Sequence, residues 1–309
     1  MTAFGAEVRR RYLHLIDEFV RIGRTDLAEQ VVALAVAQGV WSDPLQRPVE
    51  YVASGSTQPV HSADEFWFVA HLESNFAQIR AEVDAVLARR DGGFAPVEEP
   101  LLDAGRWDQV VLYEGGRRQD EACARFPFIA QVVEQIPEAT TFGLGVITLS
   151  WLAPGSRVRP HCGRTNAQLR VHLGIRVPPG PVLRVGRREL RWQEGRCLVF
   201  DDSFEHEVRH DGDEPRLILL MDVLNPGLDE ADRAFVLASR RSAADQVAAY
   251  LAERGIDRVE TDDHGVVLRP NAGQSALIRR YMAQTGSSAA QLRTGRLHLE
   301  KDGVAVHET

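Results

Sequence analysis

Residues 143–225 read GLGVITLSWLAPGSRVRPHCGRTNAQLRVHLGIRVPPGPVLRVGRRELRWQEGRCLVFDDSFEHEVRHDGDEPRLILLMDVLN. The stretch breaks into short β-type runs, GVITLSWL, QLRVHLGIRV, PVLRV, RELRWQ, RCLVFD, HEVRH and RLILLMDVL, punctuated by PG, PPGP, GRR, EG and DGDEP. Val, Ile and aromatic residues favour a pleated surface, whereas Gly, Pro and Asp favour the turns between strands. Many short strands at close spacing predict a sandwich or barrel, and about eight of them fit a double-stranded β-helix, or jelly roll.

Outside this stretch the period changes. Val8, Tyr12, Leu15, Ile16 and Phe19 recur at helical spacing, and Leu27, Ala28, Val31, Val32 and Ala35 do so after the break at 23–26, which predicts a helical hairpin over 6–39. Core packing, substrate positioning or a dimer contact would each explain its apolar stripes. Residues 41–64, with Pro44, Pro48 and Pro59, read as an extended connection, and 65–90 as a second helical segment. Beyond Pro226, helices at 229–254 and 272–285 and β pieces near 265–268 and 296–306 are expected. The predicted class is therefore α+β: an N-terminal hairpin and connection (1–64), a jelly roll (65–226) and a small α/β appendage (227–309).

Of 309 residues 44% are hydrophobic, enough to bury a substantial core. A net charge of -8 without any polybasic run argues against a nucleic-acid partner. No window approaches the ~20 apolar residues of a membrane helix, and the N-terminal segment lacks an apolar targeting core, so a cytoplasmic protein with no membrane partner is expected. Cys123, Cys162 and Cys197 form no CxxC pair and are odd in number, which argues against a disulfide framework. The sequence selects no oligomeric state.

Five features follow one another in the β region: Ser150, His161 in PHCGRTN, Arg170 and His172 in LRVHLG, Asp202 and His206 in FDDSFEHEV, and Arg216. Imidazole nitrogen suits Fe(II), and the usual oxygen-activating arrangement adds an Asp or Glu to two His. That acid commonly lies two residues after the first His, where this chain has Gly163. The gap is chemically tolerable. Two imidazoles and a chelating 2-oxo acid occupy four of the six positions of an octahedral ion, leaving one for O2 and one for water, and a 2-oxoglutarate dianion neutralises the metal. Asp202 is placed to hold that water by hydrogen bonding; the competing reading is an ordinary turn acid. Arg216 leads an otherwise apolar run and needs a carboxylate, which the distal end of 2-oxoglutarate supplies, with Ser150 as a further donor. The competing reading there is a structural ion pair. His14, His61, His71, His210, His264, His298 and His307 lack such company and read as structural.

At these residues the sequence resembles the aspartyl/asparaginyl β-hydroxylase family of 2-oxoglutarate oxygenases. PHCGRTN, LRVHLG, RWQEGRCLVFDDSFEHEV and RLILLMDVLNP follow the family's pattern over about 143–226, and DPLQRP (43–48) looks like its approach to the core. The resemblance implies that His161 and His206 ligate iron, that Gly163 is the missing carboxylate and that Asp202 supports the replacement water. It further implies that Ser150 and Arg216 meet the distal carboxylate of 2-oxoglutarate, that His172 lies near its other end, and that Arg170 faces a substrate carboxylate. Members acting on aspartate in large secreted domains carry basic residues where this chain has Gln168 and Thr148, so Gln168 is a second candidate substrate residue and a neutral substrate group is in view.

The expected activity is hydroxylation of an Asp or Asn residue in a peptide, such as a natural-product peptide, using Fe(II), O2 and 2-oxoglutarate, with succinate and CO2 as co-products. Alternatives within the enzyme class are a free amino acid, a small metabolite or a lipid acyl chain as substrate, and halogenation, which Asp202 opposes beside the metal. A different class is a non-catalytic, metal-binding cupin-like protein, which would have no use for Arg216 and Ser150 together.

Overall fold

The computed structural model describes residues 3–89, 92–97, 99, 101–140 and 145–238, and four short strand segments beyond them. The core is two antiparallel sheets. In chain order the strands are β1 (Val60–His61), β2 (Ala95–Pro96), β3 (Leu102–Ala104), β4 (Trp107–Glu114), β5 (Arg117–Arg118), β6 (Val146–Leu152), β7 (Arg157–His161), β8 (Gln168–Arg176), β9 (Pro181–Val185), β10 (Arg188–Leu190), β11 (Cys197–Phe200), β12 (His206–His210) and β13 (Arg216–Leu224). The large sheet runs β1-β11-β8-β13-β6-β4-β2, with β5 beside β4; the small sheet runs β10-β9-β12-β7-β3. This is the predicted jelly roll.

Alternation along β13 explains how the layers form. All nine of its residues are buried. Leu217, Leu219, Met221 and Val223 pack in one cluster with Phe68, Ile79 and Ile129 of the helices, whereas Ile218 and Leu220 enter a second cluster with Leu183, Val185 and Val208 of the small sheet. Odd positions thus face a helical layer and even positions face the space between the sheets. The same parity holds on β8, whose Leu169, Val171 and Leu173 join the helices. Burying such a side chain contributes about 1.5–3 kcal/mol.

The helices are α1 (Ala3–Arg21), α2 (Thr25–Ala37), α3 (Trp67–Ser74), α4 (Phe76–Ala88), α5 (Asp120–Arg125), α6 (Pro127–Glu134), α7 (Pro137–Thr140) and α8 (Glu230–Ala238). The hairpin expected over 6–39 is present as α1 and α2, closed around Ile16, Ala28, Ala35 and Trp41. The segment expected over 65–90 is broken at Asn75, whose side-chain amide donates to the His71 carbonyl at 2.8 Å and ends α3. Of the expected 229–254 helix the described part is α8, and the 272–285 helix lies outside the described residues. Val259–Asp262 pairs with Gly265–Leu268, and Arg296–Glu300 with Gly303–His307, in two hairpins. No helix among the described residues is long and apolar enough to cross a membrane, and the three cysteines are free.

Candidate active site

β12 pairs with β7 so that His206 stands opposite His161, and the two ring centroids are 4.1 Å apart. Each ring directs Nδ1 to a backbone carbonyl two residues earlier, His161 to Arg159 at 2.8 Å and His206 to Phe204 at 2.9 Å. A carbonyl only accepts, so the proton sits on Nδ1 and Nε2 keeps its lone pair. Burial holds both rings neutral, with His161 drawn down to about 4 and His206 well below the usual range. Among the described residues no three His, Cys, Asp or Glu side chains are arranged to hold a metal ion together. Among those residues the imidazole pair has no protein carboxylate completing it.

Gly163 and Asp202 interlock. The Gly163 N–H donates to the Asp202 carbonyl at 2.6 Å, and a Cβ at 163 would stand 2.5 Å from the Asp202 carboxyl carbon. Asp202 fills the space that a side chain at 163 would need. Burial pushes its carboxyl up to about 6, against the opposing pull of Arg170 and a hydrogen bond from Gln168, and its Oδ1 has no partner.

Arg170 is held from behind. Its Nε donates to Asp222 Oδ1 at 2.8 Å, and its Nη2 lies 3.1 Å from Asp222 Oδ2 and 3.0 Å from Asp202 Oδ2. Burial acts to lower the guanidinium pKa, but the two carboxylates outweigh it and raise it. Asp222 was not singled out by the sequence reading. Its signal is parity: 216, 218, 220 and 222 are the inward positions of β13.

Arg216 is buried at the other end of the pocket. Its Nη2 donates to Ser150 Oγ at 3.2 Å, its guanidinium lies 4.7 Å from the Trp192 ring centroid, and its Nε has no partner. Among the described residues it forms no ion pair. Burial alone draws its pKa down to about 9. Trp107 Nε1 also donates to Ser150 Oγ, at 2.9 Å. Trp192 Nε1 donates to His172 Nδ1 at 3.1 Å, which puts the imidazole proton on Nε2, itself buried and without an acceptor.

These groups share one pocket of about 410 Å3 including its mouth, lined by Ser150, His161, Arg170, His172, His206 and Arg216 with apolar walls such as Leu152, Leu183 and Leu220. Asp202 and Gln168 sit outside the lining and reach it through Arg170. Two neutral Nε2 atoms and two unpaired buried donors, Arg216 Nε and His172 Nε2–H, fit a divalent ion and a chelating dicarboxylate.

A strap that includes the DPLQRP segment (43–48), whose Gln46 the sequence reading did not single out, fixes the turns that carry the histidines. Gln46 is fully buried, and its Nε2 donates to Ser56 O at 2.7 Å, Asp201 Oδ2 at 3.0 Å and Ser203 Oγ at 3.1 Å. The Glu205 N–H donates to Leu45 O at 2.6 Å, the Glu50 N–H to Arg164 O at 2.9 Å, and Arg47 pairs with Glu205 at 2.7 Å. The turn after His161 and the turn before His206 are thereby tied to one segment, 45–50.

The jelly roll thus brings paired imidazoles on facing strands and a buried arginine into one pocket. Residues 73–226 match the family described as aspartyl/asparaginyl β-hydroxylase, and the chain belongs to that family. It is 37% identical over 233 residues to the human aspartyl/asparaginyl β-hydroxylase, covering 74% of this chain and 31% of that protein. It is 31% identical over 194 residues to the ornithine lipid ester-linked acyl 2-hydroxylase of Rhizobium tropici, covering 60% of this chain and 66% of the other. The chain thus spans about a third of the length of the human relative. Among solved structures it is similar to a prolyl hydroxylase of Trichoplax adhaerens in complex with a hypoxia inducible factor peptide fragment, at 15% identity and a TM-score of 0.35, covering 51% of this chain and 81% of that one.

Proposed function

We propose that this chain is an Fe(II)- and 2-oxoglutarate-dependent hydroxylase that β-hydroxylates an Asp or Asn residue in a peptide. The observation that carries this reading is Arg216, a buried guanidinium without a counter-anion among the described residues, in one pocket with Ser150, His172 and the imidazole pair. An uncompensated buried charge costs several kcal/mol and persists where a ligand supplies its partner. In this reading Arg216 and Ser150 take the distal carboxylate of 2-oxoglutarate, and His172 Nε2–H donates near its keto-acid end. His161 and His206 present Nε2 to iron, and Asp202 Oδ1 accepts from water beside it. When bound, the metal and 2-oxoglutarate would supply the electrons that activate O2, the oxidant of the reaction. The protein orients both, excludes bulk water with its apolar walls and positions the substrate carbon.

The relative named as a lipid acyl hydroxylase, together with those apolar walls, favours an acyl chain as the second reading of the substrate. The test of the class is Fe(II)-dependent release of succinate from 2-oxoglutarate by purified protein. Release is expected; none, with Fe(II) still bound, would return the chain to the non-catalytic metal-binding class.

A further inference from the structure

His161, His172 and His206 all line the pocket, but they do not face it in the same way. His161 and His206 each turn Nδ1 to a backbone carbonyl, at 2.8 and 2.9 Å, which places the proton there and leaves a lone pair on Nε2. The Nδ1 of His172 meets the opposite kind of group, the indole Nε1–H of Trp192 at 3.1 Å. An indole N–H only donates, so this Nδ1 is the acceptor and the proton lies on Nε2. That Nε2–H is buried and has no acceptor among the described residues.

Trp192 lies between β10 and β11, is 4% exposed and stands behind the pocket lining. Its ring is nearly parallel to that of His172, at 21° with centroids 5.9 Å apart, and the Arg216 guanidinium lies 4.7 Å from its centroid. An aromatic face offsets part of a buried positive charge without occupying the N–H donors of the cation. Burial, and then the charges of Arg216 and Arg170, hold His172 neutral. A neutral imidazole has a single ring proton to place, and the indole decides where. In the other tautomer the Nε2 lone pair would meet a ligand carboxylate and repel it.

We propose that Trp192 is a positioning residue for the co-substrate. Its indole N–H fixes His172 in the tautomer opposite to that of His161 and His206. One pocket thereby presents two imidazoles as acceptors to a metal and a third as a donor to the keto-acid carboxylate. The identity of that ligand rests on the hydroxylase reading.

Two measurements test this. In the metal-free protein, long-range proton–nitrogen NMR correlations report which nitrogen of each imidazole carries the proton. The wild type should show Nε2–H at His172. Trp192→Phe, which keeps a ring face beneath Arg216 but has no N–H to donate, should show Nδ1–H or a mixture. Wild-type His172 protonated on Nδ1 overturns the proposal without any variant having to fold, and an unchanged tautomer in Trp192→Phe does so too. Anaerobic calorimetry then follows 2-oxoglutarate into the Fe(II)-loaded proteins. Trp192→Phe should bind it roughly tenfold more weakly or worse, with Fe(II) affinity unchanged. In a His172→Gln background, where there is no tautomer to set, the same substitution should cost roughly threefold or less. An equal loss in both backgrounds would mean that Trp192 acts through packing and would overturn the proposal. Failure of the wild type itself to bind 2-oxoglutarate would sink the hydroxylase reading and the donor role with it, even where the NMR pattern stands.

Discussion

The two sides of the pocket are ordered by different means. On the sheet side, β6 and β13 run in register, and β8 and β13 do so from Ile218 onward after a slip at Leu217, with Ile218 opposite Ser150, Leu220 opposite His172 and Asp222 opposite Arg170. Here alternation alone delivers each functional side chain to the interior. On the turn side, the ladder slips between His206 and Val208, and the chain on either side of the histidines is held by side-chain bonds from a distant strap. Periodic structure positions the groups proposed to bind 2-oxoglutarate, and a non-local clasp positions those proposed to bind iron. The two sides should therefore fail differently when altered.

The seam between them carries the largest expected effect. His161→Ala or His206→Ala should reduce 2-oxoglutarate turnover to background while leaving the thermal midpoint of the metal-free protein near that of the wild type; an active His161→Ala protein would break the iron assignment. Next comes Gly163→Asp, which on paper restores the missing carboxylate. Because a Cβ there meets Asp202 at 2.5 Å, the variant should displace Asp202, and turnover should fall roughly 10 to 100-fold. A rise in turnover would show that Asp202 does not own that space.

Gln46→Leu sharpens the contrast, since it touches neither metal nor co-substrate. It removes the amide that the Ser56 carbonyl, Asp201 and Ser203 share, and each buried group left unsatisfied costs about 1–3 kcal/mol. We expect a lower unfolding midpoint in denaturant and weaker Fe(II) affinity, roughly tenfold by titration, with little change in 2-oxoglutarate affinity at saturating metal. Equal losses on both sides would mean that the clasp and the sheet are one unit.

The smallest effect is one of pH. Burial lifts the Asp201 carboxyl, beneath the strap, from 3.8 to about 7, with hydrogen bonds from Ser203 opposing the rise. The folded state therefore binds the proton more tightly than the unfolded state across that interval, so this group's contribution is greatest below the unfolded value and is lost as pH rises toward 7. The melting temperature of the metal-free wild type measured against that of Asp201→Asn should decline as pH rises from about 5 to about 8, beneath the opposite slope that the buried neutral imidazoles of His161, His172 and His206 give both proteins.

This division also decides how much could be read beforehand. Ser150, Arg170, His172 and Arg216 lie on strands whose alternation is visible in the sequence, and the jelly roll follows from the same runs. Asp222 was legible in principle, as an acid at an inward position of an apolar strand. Gln46 was not, because its partners Asp201 and Ser203 lie more than 150 residues away and a single buried amide leaves no periodic trace. Helices α5, α6 and α7, of 6, 8 and 4 residues, are too short for a helical period to register. For Arg170 the sequence offered a substrate carboxylate as partner, and the structure supplies two carboxylates from within the chain.

The most direct test of the central claim is an anaerobic calorimetric titration of 2-oxoglutarate into Fe(II)-loaded wild-type and Arg216→Met proteins. The account predicts a single site in the wild type and a loss of about 2–5 kcal/mol of binding energy in the variant, with Fe(II) affinity unchanged and the metal-free variant no less stable, because an unpaired buried charge has been removed. Undiminished 2-oxoglutarate affinity in Arg216→Met would contradict it.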